Sequence, residues 1–199
     1  MTTYPDAERQ LDLELVERAR AGDRAAFGDL VRRHQHVSLR LAYVICGSKE
    51  EAEDAVQDAF VNAYRALGTF RPDGELRPWL MRIVANQAKN RVRSTSRRSR
   101  LTERVAAIDP AASPSGRRTV VAPDESAIAG ADAAAVVAAI AHLPERERLA
   151  IAYRYFAGFS EAEIVAALGW PAGTVKSRLS RGVGRLRTLL ADSLEVRDG

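Results

Sequence analysis

One cysteine, Cys46, stands among 199 residues, so no internal disulfide can form and no Cys-x-x-Cys pair exists to build a thiolate metal site. A small buried apolar role is what remains for it. Histidine is equally sparse. His34 and His36 point to different faces of one predicted helix and His142 lies far along the chain, so no metal or cofactor is expected. No apolar run approaches the roughly 20 residues that cross a bilayer, and the opening "MTTYPDAERQLDLE" has neither the basic nor the apolar part of a signal peptide. These absences argue against membrane insertion and secretion, and the expected location is cytoplasmic. Strand alternation and internal repeats are missing as well, which turns the reading toward an all-helical fold.

What is present is ordinary globular composition, 46% hydrophobic and 28% charged, with the charge unevenly spread. The formal net charge is only +4, yet ten basic residues face three acidic ones between Arg71 and Arg104, while "KEEAEDAVQD" at 49–58 is strongly acidic. Two surfaces of opposite character imply two different macromolecular partners.

Helical periodicity runs from residue 11 to about 97, interrupted by "AGD", "CGS" and "GTFRPDGELRP". The pattern predicts helices at about 11–20, 24–45, 49–67 and 78–95. From Ser94 the composition shifts to Ser, Ala, Pro, Gly and Arg, and helical pattern resumes at "DAAAVVAAIAHL". The expected architecture is therefore all-α, two small helical domains over 11–97 and 131–192 joined by a flexible linker over 98–130. Such a linker reaches well past ~60 Å when extended at about 3.3 Å per residue, so variable separation of the domains is expected.

The second domain ends in a helix-turn-helix. In "FSEAEIVAALG", Ser160 and Glu163 have capping-box spacing, Ile164, Val165 and Leu168 follow helical spacing, and Gly169 marks the stop. "WPAGTVKSRLSRGVGRLR" follows, with Pro171 suited to the first turn. Val175, Leu179, Val183, Leu186 and Leu190 form its buried stripe, flanked by Lys176 and Arg187 on one side and Arg178 and Arg185 on the other. Cations at both edges of a helix suit a groove between two phosphate rows. Gly182 and Gly184 each lower helix propensity by about 1 kcal/mol relative to Ala, so fraying is expected there unless DNA orders the helix.

In the first domain, "RPWLMRIVANQAKNRVRS" projects Leu80, Met81, Val84, Ala85, Ala88 and Val92 to one side and Trp79, Arg82, Asn86, Lys89, Asn90 and Arg93 to the other. Cations suit phosphates, amides suit base edges, and an indole can stack on an unpaired base. Trp79 reads equally as a core aromatic. The preceding helix buries Val56, Phe60, Ala63 and Leu67 and exposes Glu51, Asp54 and Asp58, like charges at i,i+4 that ask for a compensating partner. A solvated face, an anchor for a basic helix of another protein, and carboxylates around a metal are all open.

The blocks "LVERARAGDRAAFGDLVRRH", "AEDAVQDAFVNAYRALGTFR", "RPWLMRIVANQAKNRVR" and "LPERERLAIAYRYFAGFSEAEIVAALGWPAGTVKSRLSRGVGRLR" resemble, in order, the extracytoplasmic-function (ECF) sigma factors, the minimal group of the bacterial sigma-70 family. The resemblance implies a first domain corresponding to sigma region 2 and a second corresponding to region 4, with no catalysis by the chain. It implies that Asp54, Gln57, Asp58 and Asn62 dock on the clamp helices of the largest subunit of core RNA polymerase. It puts −10 promoter DNA on Phe70, Arg71, Arg77, Trp79, Arg82, Asn86, Lys89, Asn90 and Arg93. The −35 element falls to Thr174, Lys176, Ser177, Arg178 and Arg181, with the polymerase flap against the same domain. A stress or envelope response and an anti-sigma factor as a further partner are implied too. Trp170 departs from the smaller residue common at its position. Two rivals remain: a dimeric regulator using the helix-turn-helix without polymerase, and a metal-dependent nuclease built on Glu51, Asp54 and Asp58.

Overall fold

The computed structural model describes residues 4–71, 74–106 and 127–195. The described residues are helical, without strands: α1 (Asp6–Arg20), α2 (Arg24–Cys46), α3 (Lys49–Ala66), α4 (Leu76–Ala106), α5 (Ala127–Ala141), α6 (Glu145–Ile151), α7 (Glu161–Leu168) and α8 (Ala172–Glu195). A 3₁₀ turn (Leu67–Thr69) follows α3 and a π-helical turn (Ala152–Phe156) extends α6.

Local chemistry sets these boundaries. Asp23 caps α2 by accepting from the N–H groups of Ala25 and Ala26 at 2.9 and 3.1 Å. Ser160 and Glu163 form the expected capping box on α7, and Gly169 ends that helix at φ 67° with its N–H on the Val165 carbonyl. One boundary differs from expectation. α4 runs to Ala106 rather than 95, because "STSRRSRLTERVA" keeps helix-forming Arg, Leu, Glu and Ala although it offers no apolar stripe for periodicity to detect. Of the segment read as a linker, 98–106 is thus helical, α5 starts at 127, and 107–126 lies outside the described residues.

Two buried clusters hold the elements. The smaller joins Leu15, Val16 and Ala19 of α1 to Ala26 and Leu30 of α2, and to Leu67, Phe70 and Leu76 around the turn. The larger begins with Leu41, Val44, Phe60, Met81 and Val84 in α2–α4 and continues without a break through Ile140, Ile151, Tyr153, Phe159, Ile164 and Val175. One buried cluster thus contains residues of both modules. Cys46 is buried in it, as its apolar reading requires.

Beneath α1 and α2 lies a polar network. Asp12, 1% exposed, accepts from Tyr4 Oη at 2.8 Å, Arg33 Nε at 2.9 Å and His34 Nε2 at 2.9 Å. Burial alone would push the Asp12 carboxyl up, but the hydrogen bonds and charge of these neighbours outweigh it and hold it below the usual carboxylate range.

Candidate nucleic-acid and partner interfaces

α8 presents a buried edge and an outer arc. Val175 and Leu179 pack inward, Val183 and Leu186 support them, and Lys176, Ser180, Arg181, Gly184 and Arg187 are exposed. Thr174 and Ser177 are half-buried at the start of the arc, and Ser177 Oγ donates to the Thr174 carbonyl at 3.0 Å. Arg178 does not join this arc. Its guanidinium lies 3.6 Å from Glu147 Oε1, and Arg185 Nε lies 3.0 Å from Glu147 Oε2. Glu147 is 1% exposed on α6, so its charge requires cationic neighbours and draws both arginines to the inner rim. The Arg178 guanidinium thus faces Glu147, with its side chain 25% exposed.

Gly182 is likewise different from its reading as a fraying site. α8 passes through it unbroken, and a Cβ there would meet Ile151 Cγ1 at 3.0 Å. The missing side chain lets α8 sit against α6 beside Glu147. Gly184 has open space around it.

The first domain divides its expected DNA face in two. Arg82, Asn86, Asn90 and Arg93 are exposed on α4, with Lys89 half-buried among them, and Arg71 is exposed before the helix. Phe70 instead belongs to the small core, and its ring packs against half-buried Trp79 at a centroid distance of 5.4 Å. The indole of Trp79 packs on Phe70 as its core reading expects and keeps part of its surface exposed. Arg77 is turned inward: it donates to Glu163 Oε1 at 2.9 Å and to the Ala157 carbonyl, and sits over the Phe159 ring at 4.3 Å. Phe70 and Arg77 therefore stand apart from the exposed face. Sequence reasoning missed Arg20, whose guanidinium donates to the carbonyls of Leu67 and Phe70 and so shapes this loop.

On α3 the acidic ladder finds its cation within the chain. Arg91 of α4 forks across it, donating to Asp54 at 2.9 Å and Asp58 at 2.8 Å, and Thr95 Oγ1 donates to Glu51 at 3.2 Å. The hydrogen bond to Asp58 is the leading cause that holds the Arg91 guanidinium above its ordinary range. Beside the ladder, an open groove of about 640 Å³ is lined by Arg24, Phe27, Val31, Gln57, Phe60, Val61, Tyr64 and Arg65. Val61 and Tyr64 are each 44% exposed, unusually open for large apolar side chains. Gln57 lines this groove, Asp54 and Asp58 stand beside it, and half-buried Asn62 is not among its lining residues. Among the described residues, no group of three or more His, Cys, Asp or Glu could hold a metal ion. The carboxylates invoked for a nuclease are engaged by Arg91 and Thr95 instead.

A helix-turn-helix joined to a module with a cation-and-amide face on one helix, and an acidic ridge beside an apolar groove on another, defines a DNA-binding factor that also docks on protein. Residues 30–98 match the family model Sigma-70 region 2, and residues 133–186 match Sigma-70, region 4. The chain is 37% identical over 175 residues to the RNA polymerase sigma-H factor of Pseudomonas aeruginosa, covering 87% of this chain and 90% of that protein. It is 39% identical over 179 residues to the ECF RNA polymerase sigma-E factor of Escherichia coli K12, covering 88% and 92% respectively. Among solved structures it resembles CnrH in complex with the cytosolic domain of CnrY, with TM-score 0.70, 27% identity and coverage of 92% of this chain and 98% of that one. It also resembles the sigma factor RpoE of Bartonella quintana in complex with the anti-sigma factor NepR, with TM-score 0.62, 26% identity and coverage of 82% and 97%. The chain belongs to the ECF sigma factors of the sigma-70 family. Its function is to bind core RNA polymerase and direct promoter-specific transcription initiation. No helix among the described residues is long and apolar enough to cross a membrane.

Proposed function

We propose that the module over 11–97 serves as region 2 and the module over 131–192 as region 4, each working through the surfaces described above. Asp54, Gln57 and Asp58, with the groove floored by Phe60 and Tyr64, receive the clamp helices of the polymerase largest subunit. Arg82, Asn86, Lys89, Asn90 and Arg93 follow the −10 strand, with Trp79 as a stacking surface for an unpaired base. Lys176, Ser177, Ser180 and Arg181 enter the −35 major groove with Thr174 at the helix start, and Arg181 is suited to a bidentate contact with guanine. Binding energy from polymerase and from the −35 duplex holds region 2 over the −10 segment, where unstacked bases are captured. Polymerase supplies the chemistry, and the chain has no catalytic step of its own. An anti-sigma factor covering the polymerase-facing or DNA-facing surfaces is the proposed regulator, supported by the complexes in which CnrH and the Bartonella factor were solved. A stress or envelope signal and a cytoplasmic site of action complete the reading.

The observation that carries this assignment is that the exposed amides and cations of α4 and the acidic, grooved surface of α3 belong to one compact helical hairpin. Run-off transcription with core polymerase on genomic promoter fragments tests it, using wild type, Asp54→Arg and Asn86→Ala. Specific initiation should require the protein. Asp54→Arg should lower holoenzyme formation ~10-fold or more by putting a cation beside Arg91. Asn86→Ala should cost about 1–3 kcal/mol of promoter discrimination with polymerase binding intact. Tight DNA binding without polymerase, and unchanged transcription, would leave the stand-alone regulator as the better account.

A further inference from the structure

A cavity of about 680 Å³ lies apart from the surfaces described for promoter and polymerase. It is bounded by the start of α1, the middle of α2, the first turn of α4 and the turn after α6, and it shares no residue with the exposed face of α4 or the outer arc of α8. Its volume falls within the roughly 300–1,000 Å³ of small-molecule sites.

The lining is basic. Arg33 and Arg40 of α2 and Arg77 of α4 contribute guanidiniums, while Glu8 is the one carboxylate among the lining residues. Each guanidinium is held in place by the protein. Arg33 Nε donates to buried Asp12 at 2.9 Å, Arg77 Nη1 donates to Glu163 Oε1 at 2.9 Å, and Arg40 Nε donates to the Phe156 carbonyl at 3.2 Å. A guanidinium carries five N–H donors in a rigid fork, so these contacts orient the three groups and leave further donors on each. Arg40 is exposed and its partner is a neutral carbonyl, so its charge stays available to an anion.

The aromatic wall has a separate origin. α6 is extended by the π-helical turn Ala152–Phe156, closed by the Ala157 N–H on the Ala152 carbonyl at 3.0 Å. Such turns are rare and recur at functional sites. This one carries Tyr155 and Phe156 into the lining, and Tyr155 is 62% exposed. A ring that open contributes little to the core.

Oriented cations, an open ring and one exposed carboxylate correspond to the three parts of a nucleotide. Arginine forks suit phosphate oxygens, a tyrosine ring stacks on a base, and a carboxylate accepts from ribose hydroxyls. A free oxyanion would leave Tyr155 unused and would meet Glu8 as a like charge. We propose that this cavity binds a nucleoside diphosphate or triphosphate, with Arg33, Arg40 and Arg77 on the phosphates, Tyr155 on the base and Glu8 on the ribose. The site is distinct from the proposed promoter and polymerase surfaces, and it gives the inward-turned Arg77 a ligand. A bound nucleotide stabilises the folded chain by mass action.

Calorimetric titration of the full chain with ADP and with GDP tests the site, with pyrophosphate and adenosine as partial probes. At least one of the two nucleotides should saturate a single site per chain and raise the melting temperature, and each partial probe should bind roughly 10-fold or more weakly. Arg40→Gln should weaken nucleotide and pyrophosphate alike by roughly 10-fold. Tyr155→Ala should weaken the nucleotide by roughly 10-fold and leave pyrophosphate unchanged. Both side chains are exposed, so each variant without ligand should keep the wild-type circular dichroism. Asn86→Ala, on the proposed promoter face, should bind nucleotide as wild type does. No saturable binding of either nucleotide up to roughly 1 mM, pyrophosphate binding as tightly as the nucleotides, or affinity unmoved by Arg40→Gln and Tyr155→Ala would each overturn the proposal. Loss of binding in Asn86→Ala would overturn it as well, by placing the nucleotide on the promoter face. These titrations need neither polymerase nor promoter, so they stand whatever run-off transcription shows.

Discussion

Two groups of carboxylates in the first module, at opposite levels of burial, show how the fold separates fixed charge from exchangeable charge. Asp12 is buried under α1 and α2 with donors from Tyr4, Arg33 and His34 on its two oxygens. Asp54 and Asp58 stand on the α3 surface, more than half exposed, and share one arginine. A buried carboxylate must be fully satisfied because desolvation is costly, so its partners are permanent. An exposed carboxylate interacts weakly with any single cation and can trade one for another at little cost. The same residue type is therefore a fixture in one place and an exchangeable surface charge in the other, the role proposed above being to dock polymerase.

Removing Asp12 should produce the largest effect. Asp12→Ala leaves Arg33, His34 and Tyr4 without their acceptor, and the expected loss is about 3 kcal/mol in urea unfolding at pH 7. The pH dependence follows from the sign of the shift. The Asp12 carboxyl is held below the ordinary 3.8 in the folded state, so its contribution is present above about pH 4 and disappears as pH falls through the folded value. The gap between wild type and Asp12→Ala should accordingly narrow below pH 4. A gap independent of pH would show that packing, rather than charge, is what Asp12 supplies.

The contrast extends to two glycines of α8. Gly182 faces Ile151, and Gly184 faces open space. Gly182→Ala gains about 1 kcal/mol of helix propensity but forces a methyl against Ile151, an overpacking term of about 1–3 kcal/mol. A net loss of about 1 kcal/mol is expected. Gly184→Ala meets no neighbour and should gain up to about 1 kcal/mol. Thermal unfolding of the two variants checks the opposite signs, and equal shifts would remove the close-packing role given to Gly182.

Much of this was legible in the sequence, and the places where it was not share a cause. Helical spacing placed the apolar stripe of α8, the α4 face of Arg82, Asn86 and Asn90, and the turn at Gly169, because each depends on neighbours within a few residues. The acidic ladder announced a need for a cation, yet only the packing of α4 on α3 identifies Arg91. Glu147 gave no sign at all in "PERER", since its burial depends on α8 lying across it. For the same reason, the inward turns of Arg178 and Arg77 could not be read: both are captured by carboxylates remote in sequence. Ser180 was within reach of the helical spacing that placed the buried stripe of α8, since it lies on the exposed arc beside Arg181.

The smallest expected stability effect, and the sharpest test of the opening contrast, belongs to Arg91→Gln. An exposed fork of this kind contributes about 0–1 kcal/mol, so urea unfolding should barely move. Docking should respond more clearly. Without Arg91, Asp54 and Asp58 confront a partner with their full charge, so if the clamp helices offer cations, binding to core polymerase should tighten at low salt and weaken more steeply as salt rises. Titrating core polymerase at two ionic strengths separates the cases. A steeper salt dependence with unchanged stability makes Arg91 a placeholder for the partner's cations. Weaker binding at both ionic strengths would instead mean that the fork orients the two carboxylates for docking, and that even these exposed charges are held in fixed positions.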